Sequence, residues 1–207
     1  MQRSTQESPT DLPSWVPDWS VPSRVKPLSE LCHPQYFLEH HRAQMLKSPS
    51  PDILKLLGES VDTIRAVGDV YTQPSDLVRS QIMTSWRATG AQQRAQHGII
   101  GDPMTDLWND VLLRQRGASR SQQRFNQAFD PVCLERRYFV SATGRSGIGP
   151  AAATNGDNIV QFQGTPLPLV LRLSRQDGSY YLVGECCLFG PGWSERKRRK
   201  PRVFCIE

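Results

Sequence analysis

Asp157 and Glu185 are the carboxylates in this 207-residue chain whose surroundings invite a chemical reading. Asp157 follows Gly156 at the start of a β-branched run, where a carboxylate most simply closes an Asx turn. Glu185 stands in Val183-Gly184-Glu185-Cys186. On a strand it can accept from backbone amides or pair with Arg172 on a neighbouring strand, and a fixed hydrogen bond explains it as well as proton transfer does. Neither has a second carboxylate at a spacing that would make an acid/base pair. Cys186 and Cys187 would need a histidine and an orienting carboxylate to act as nucleophiles. No cysteine stands at a helix N-terminus, and a strand cysteine is ordinarily a small buried hydrophobe.

Metal and phosphate chemistry fare no better. His40 and His41 are adjacent, so on a helix they point about 100° apart and cannot share a metal as an i, i+4 pair can. There is no C-x-x-C, no H-E-x-x-H and no acidic calcium loop, and Cys32-His33 would need partners from far away. Gly144-Arg145-Ser146-Gly147 lacks the Lys-Ser/Thr ending and the following helix of a phosphate loop, which leaves a tight turn. The expectation is a chain that is not an enzyme and holds no cofactor and no metal.

The elements that would position these residues lie mainly between Arg137 and Gly190. Tyr138-Phe139-Val140 reads as a strand, and Gly144, Gly147, Gly149 and Pro150 punctuate a connection. Ile159 to Phe162 is a second strand, and Gly164-Thr165-Pro166 turns it. Leu169, Leu171 and Leu173 alternate with Val170 and Arg172 as a half-buried strand does. Asp177-Gly178 closes a hairpin, because Asp-Gly accepts the positive φ angles that match strand twist, and the return strand runs from Tyr180 to Leu188.

Upstream the signals are helical. Gln35–Lys47 reads as a helix ended by Ser48-Pro49. Pro74–Thr89 carries the stripe Leu77, Val78, Ile82 and Trp86, and Asp102-Pro103 opens a third helix with Met104, Leu107, Trp108, Val111 and Leu112 on one face. Residues 91–97 and 117–123 read as exposed loops. Phe125 and Phe129 belong to a short helix or turn ending before Pro131. Residues 53–70 are ambiguous: Leu54, Leu57, Val61 and Ile64 suit a helix, but Gly58 weakens it, and a strand pair over 53–70 is expected. Pro13, Pro17, Pro22 and Pro27 hold the N-terminus extended, while Trp15 and Trp19 offer apolar area best buried as a strap on the chain's own domain.

This order of residues resembles the C-terminal region of fungal heterokaryon incompatibility (HET) domain proteins. The resemblance rests on the stretch from Arg136 to Gly190, with a G-x-G-P turn, a Gly-Asp strand, a P-x-V-L-R strand and Y-x-L-V-G-E-C. LPSWVPDWS near the N-terminus is similar to a phrase that often follows the HET domain, and LLGESVDTIRAVGDV is similar to the family's Gly-x-x-x-Asp-x-Ile segment. The HET domain would lie upstream of Leu12, where only a polar leader stands, so none of its signature residues can be carried over.

The fold expected is α+β. A small SH3-like antiparallel β-barrel over 135–190 would pack against a few helices in 28–134, with a Pro/Trp-rich leader and strap over 1–27. Beyond Gly190 the sequence departs from the family's Y-V-H-G-I-M pattern. An altered reading of the gene would explain that, and a structureless basic tail is expected over 191–207. The residues expected to hold the fold are Trp15, Trp19, Gly149, Pro150, Gly156, Asp157, Gly164, Arg172, Asp177, Gly178, Gly184 and Glu185.

Composition sets the remaining bounds. The net charge of +5 owes much to Arg196-Lys197-Arg198-Arg199-Lys200, so the rest of the chain is nearly balanced. Sixteen prolines and 38% hydrophobic residues imply a modest core. Five irregularly spaced cysteines fit a reducing compartment, and no apolar run is long enough for a membrane span. A cytoplasmic chain is expected, with nuclear import through the basic block as an option. The resemblance implies a non-catalytic accessory or partner-binding region in non-self recognition and programmed cell death, standing without its HET domain, with a protein or that domain as partner. The alternative is a nucleic-acid-binding module using the barrel and basic tail.

Overall fold

The computed structural model describes residues 13–16, 26–28, 45–48, 50–112, 122–175, 178–189 and 200–207. Its organising element is β2 (Leu54–Tyr71), a single strand of 18 residues. A strand pair was expected here. One strand results because nothing between Leu54 and Tyr71 turns the chain, and because Gly58 leaves room for the Phe162 ring, which a Cβ there would meet at 2.6 Å.

The length of β2 lets it serve two sheets. Its first half pairs with the C-terminal strand β9 (Arg202–Ile206), and on its other edge with β1 (Met45–Leu46) and β5 (Asn158–Phe162). Its second half pairs with β3 (Arg136–Ser141). β5 pairs with β6 (Leu169–Leu173), and β6 with β7 (Tyr180–Glu185). A parallel bridge between Tyr180 and Ile206 then joins β7 to β9. The circuit β2, β5, β6, β7, β9 closes on itself as a five-stranded barrel. The other sheet continues from β3 to β4 (Ser146–Pro150) and on to β8 (Cys187–Leu188).

Alternation sorts the apolar side chains between these layers. Leu54 and Leu56, Val160 and Phe162, Leu169 and Leu171, Tyr180 and Leu182, and Phe204 and Ile206 come from all five circuit strands and form one cluster inside the barrel. Phe162 and Phe204 meet edge to face at 5.5 Å. On the opposite face of β5 and β6, Ile159 and Val170 join Ile64, Phe139, Ala153 and Cys186, where the barrel meets the second sheet. That sheet is covered by α1 (Asp76–Ala95), α2 (Met104–Leu112) and α3 (Gln122–Cys133). Trp86, Met104, Leu107 and Phe129 from the helices pack there on Tyr71, Tyr138 and Ile148. Each large side chain so enclosed contributes roughly 1.5–3 kcal/mol. Among the described residues no helix is long and apolar enough to cross a membrane.

The hairpin of β6 and β7 is present, with Gly178 at φ 77° and the Ser174 amide bonded to the Ser179 carbonyl at 2.9 Å. Asp177 itself lies outside the described residues, as do Trp19, residues 34–44 and 113–121, and Arg196 to Arg199. Five further expectations are corrected. Residues 146–150 are a buried strand rather than a connection: Gly147 is needed where a Cβ would meet Phe139 Cζ at 2.4 Å and the Cys187 carbonyl oxygen at 2.6 Å.

α1 continues through the Gln-rich stretch expected as a loop, because Arg94 is buried against Asp106 at 3.1 Å. α3 contains Pro131 instead of ending before it. Pro131 sits in the last turn, where Arg136 Nη1 donates to the Val132 carbonyl at 3.0 Å. The tail expected to lack structure supplies β9, whose Phe204 and Ile206 are buried in the barrel. Met45 and Leu46, expected within a helix, pair instead with Leu56 and Lys55.

Candidate functional site

Asp157 stands just before β5 and Arg172 near the end of β6. Because Asn158 pairs with Leu171, the antiparallel register sets Asp157 opposite Arg172. The carboxylate accepts from Arg172 Nε and Nη2, both at 2.9 Å, and from the Thr154 amide at 2.8 Å. Arg172 Nη2 also donates to the Ala152 carbonyl at 2.7 Å and to Thr154 Oγ1 at 3.1 Å. The Asp157 side chain is 2% exposed, and the hydrogen bond to it raises the Arg172 guanidinium above its ordinary pKa. This fork pins residues 152–157 to the barrel wall. Of the two roles open to Glu185, pairing with Arg172 does not occur, since β7 carries Glu185 to the far end of that wall, and accepting from a backbone amide does.

Glu185 acts elsewhere. It accepts from the Leu28 amide and faces Arg136 Nη2 at 3.4 Å. Arg136 is buried and also donates to the Lys26 carbonyl. Glu185 and Arg136 thus fasten residues 26–28 to β7, β3 and the end of α3. Gly184, at φ 147°, lets β7 pass Pro150, whose Cγ a Cβ would approach to 2.8 Å. Gly149 lies under the Phe139 ring and beside Cys186. So Gly149, Pro150, Gly184 and Glu185 are brought together, while Gly156, Gly164 and Gly178 occupy turns at φ 93°, 80° and 77°.

A third cluster escaped the sequence reading. Asp130 on α3 accepts from Arg79 Nε at 3.0 Å, Arg79 Nη2 at 2.8 Å and the Tyr71 hydroxyl at 2.7 Å, and Arg79 also pairs with Asp76 at 2.5 Å. Burial first, and then the bond to Asp130, raises the Tyr71 hydroxyl above its ordinary pKa; the bond to Asp130 raises Arg79. Of the three arginines along α1, Arg79 and Arg94 turn inward and Arg87 does not, and nothing in the local sequence tells them apart. Tyr138, bonded to Ser146 Oγ at 2.6 Å, is pushed up to about 12 by burial.

Residues 13–16 reach the end of the barrel, as a turn closed by the Val16 amide donating to the Pro13 carbonyl at 2.9 Å rather than in the extended form expected. The Ser14 amide donates to the Glu207 carbonyl at 3.1 Å, the Ser14 hydroxyl bonds the same oxygen, and the Leu182 amide donates to Ser14 Oγ at 2.9 Å. Trp15 packs against the interior cluster and donates from Nε1 to the Asp52 carbonyl at 3.2 Å. Chemically these arrangements grip chain segments. Cys186 is fully buried among Phe139, Ile159 and Val170, the setting of a packing residue. Among the described residues no group of three or more His, Cys, Asp or Glu side chains is placed to hold a metal ion.

Residues 118–192 match the Het-6 beta-barrel domain. That span holds β5, β6 and β7 of the barrel but neither β2 nor β9. The chain is also similar to heterokaryon incompatibility protein 6, OR allele, of Neurospora crassa, at 22% identity over 89% of this chain and 38% of that protein. It therefore spans well under half the length of that relative. No solved structure matches it. Both matches agree with the resemblance read from the motifs, and the chain is a region related to heterokaryon incompatibility proteins.

Proposed function

We propose that this chain, a relative of the fungal heterokaryon incompatibility proteins, acts in non-self recognition as a non-catalytic accessory region that binds a protein partner. The step that triggers cell death belongs, on this reading, to a HET domain, either on the same polypeptide or on the partner. The barrel is read as an SH3-like support, residues 13–16 and 26–28 as two points at which an N-terminal strap is fastened to the domain, and the cytoplasm as the place of action. The observation that carries the reading is the use made of Asp157 and Glu185: one is gripped by Arg172, the other holds Leu28 and Arg136. Carboxylates fixed in this way supply architecture, and recognition then rests on the surfaces that architecture presents.

The test is a graft. This chain replaces the matching stretch of the Neurospora crassa protein, and death after cell fusion is scored against a panel of tester strains. A changed pattern of compatible testers supports recognition by this region. Full activity with an unchanged pattern, both in the graft and after deletion of the stretch, overturns it.

A further inference from the structure

The barrel is closed unevenly. β2 meets β9 at five successive residue pairs and β6 meets β7 at five, but between β7 and β9 there is a single bridge, Tyr180 to Ile206, supported by the Glu207 amide donating to the Tyr180 carbonyl at 2.9 Å. Residues 13–16 fill this seam. Ser14 spans it, bonded to Leu182 on one side and to Glu207 on the other. Beside it Trp15 closes the barrel's end, its ring on the interior cluster and its Nε1 on the Asp52 carbonyl. All three anchoring groups on the barrel side are backbone atoms, and residues 13–16 present themselves to them as a tight turn closed by the Val16 amide donating to the Pro13 carbonyl at 2.9 Å, so the seam selects for a turn, a short hydroxyl and an indole rather than for charge.

We propose that the seam between β7 and β9 is a peptide-binding site, occupied in cis by the turn of residues 13–16, which accepts in trans a partner segment forming the same tight turn and carrying a small hydroxyl residue followed by tryptophan. The occupant is identified by the one seated there: the hydroxyl satisfies an amide and a carbonyl that the weak bridge leaves apart, and the indole supplies the missing end of the core. Pro13, whose φ is fixed by its ring, supplies the carbonyl that closes the turn, so little order has to be imposed when such a segment docks. Binding in trans requires release of the cis segment, which makes residues 13–16 an intramolecular competitor. The inference rests on the reading of this region as partner-binding and names the partner's chemistry.

The probe is a fluorescein-labelled peptide of the chain's own sequence TDLPSWVPDW, titrated by anisotropy into the full chain and its variants. A tethered competitor acts at an effective concentration on the order of a millimolar, so for a peptide of about 10–100 μM affinity its removal tightens binding roughly ten- to a hundredfold. Trp15→Ala in the full chain is expected to show that gain and Ser14→Ala a smaller one. A peptide with alanine in place of the first tryptophan should bind none of them. Equal binding to wild type and Trp15→Ala, no binding to either, or loss of the folded state in Trp15→Ala would each overturn the proposal, the last because it would make the segment core instead of an exchangeable plug. Since this assay contains no fungal cells, its failure leaves the graft experiment to judge the broader reading independently.

Discussion

Arg172 is more exposed than Asp157, yet its removal is expected to cost more. Arg172→Ala leaves a carboxylate that is 2% exposed with the Thr154 amide as its remaining described donor. Removing one partner of a buried ion pair costs about 3–5 kcal/mol, and the opening left by a guanidinium that is itself 42% exposed admits water, which brings the expectation down to about 2–3 kcal/mol. Asp157→Ala instead frees a guanidinium that already reaches solvent and keeps its bonds to Ala152 and Thr154. Its cost is expected to be about 1–2 kcal/mol. Because the two residues touch, the double variant should fall short of the sum by about 1–2 kcal/mol. Urea unfolding followed by far-ultraviolet circular dichroism, with all four proteins fitted to a common m-value, measures each term. An Asp157→Ala chain less stable than Arg172→Ala, or additivity within about 0.5 kcal/mol, would refute the reasoning.

Other consequences follow from the same packing. Gly147→Ala pushes a methyl group into Phe139 and the Cys187 carbonyl, and should lower Tm by roughly 5–10 °C; adding Phe139→Leu should recover only part of that, since the carbonyl cannot retreat. Stability should be whole below pH 10 and decline as pH rises to 12: the folded state keeps the Tyr138 proton up to about 12 while the unfolded chain gives it up near 10. That difference is worth up to about 3 kcal/mol, and the raised Tyr71 acts in the same direction. Urea midpoints at pH 8, 10 and 11 would show the decline, shallower in Tyr138→Phe; a flat profile would contradict it.

Much of the barrel could be read from the chain wherever a single strand carries its own signal. Leu169 to Leu173, Gly178 and Tyr180 to Glu185 announce a hairpin by alternation and turn chemistry, and the hairpin is there. Where a residue answers to something distant, the local signal misleads. Ser146 to Pro150 looks like a loop because its glycines are read as turn formers, whereas Gly147 and Gly149 make room for a ring on β3. Arg202 to Ile206 follows a basic block and looks expendable, yet two of its five side chains complete the core.

The site residues divide in the same way. Asp157 and Arg172 were recognisable as candidates, but their partnership depends on the register of β5 against β6, which no local pattern gives. Glu185 was visible and its partners Leu28 and Arg136 were not, being 157 and 49 residues away. Asp130 gave no signal because it sits beside a proline that marked its helix as ended.

The claim on which the account turns is that these polar residues hold the molecule together and perform no reaction. Glu185→Gln tests it most directly, because the amide keeps the shape and an acceptor oxygen for Leu28 while abolishing any capacity for proton transfer. Placed in the grafted incompatibility protein and assayed at a temperature where the variant is folded, it should still support fusion-triggered death. A folded Glu185→Gln protein with no activity would contradict the account.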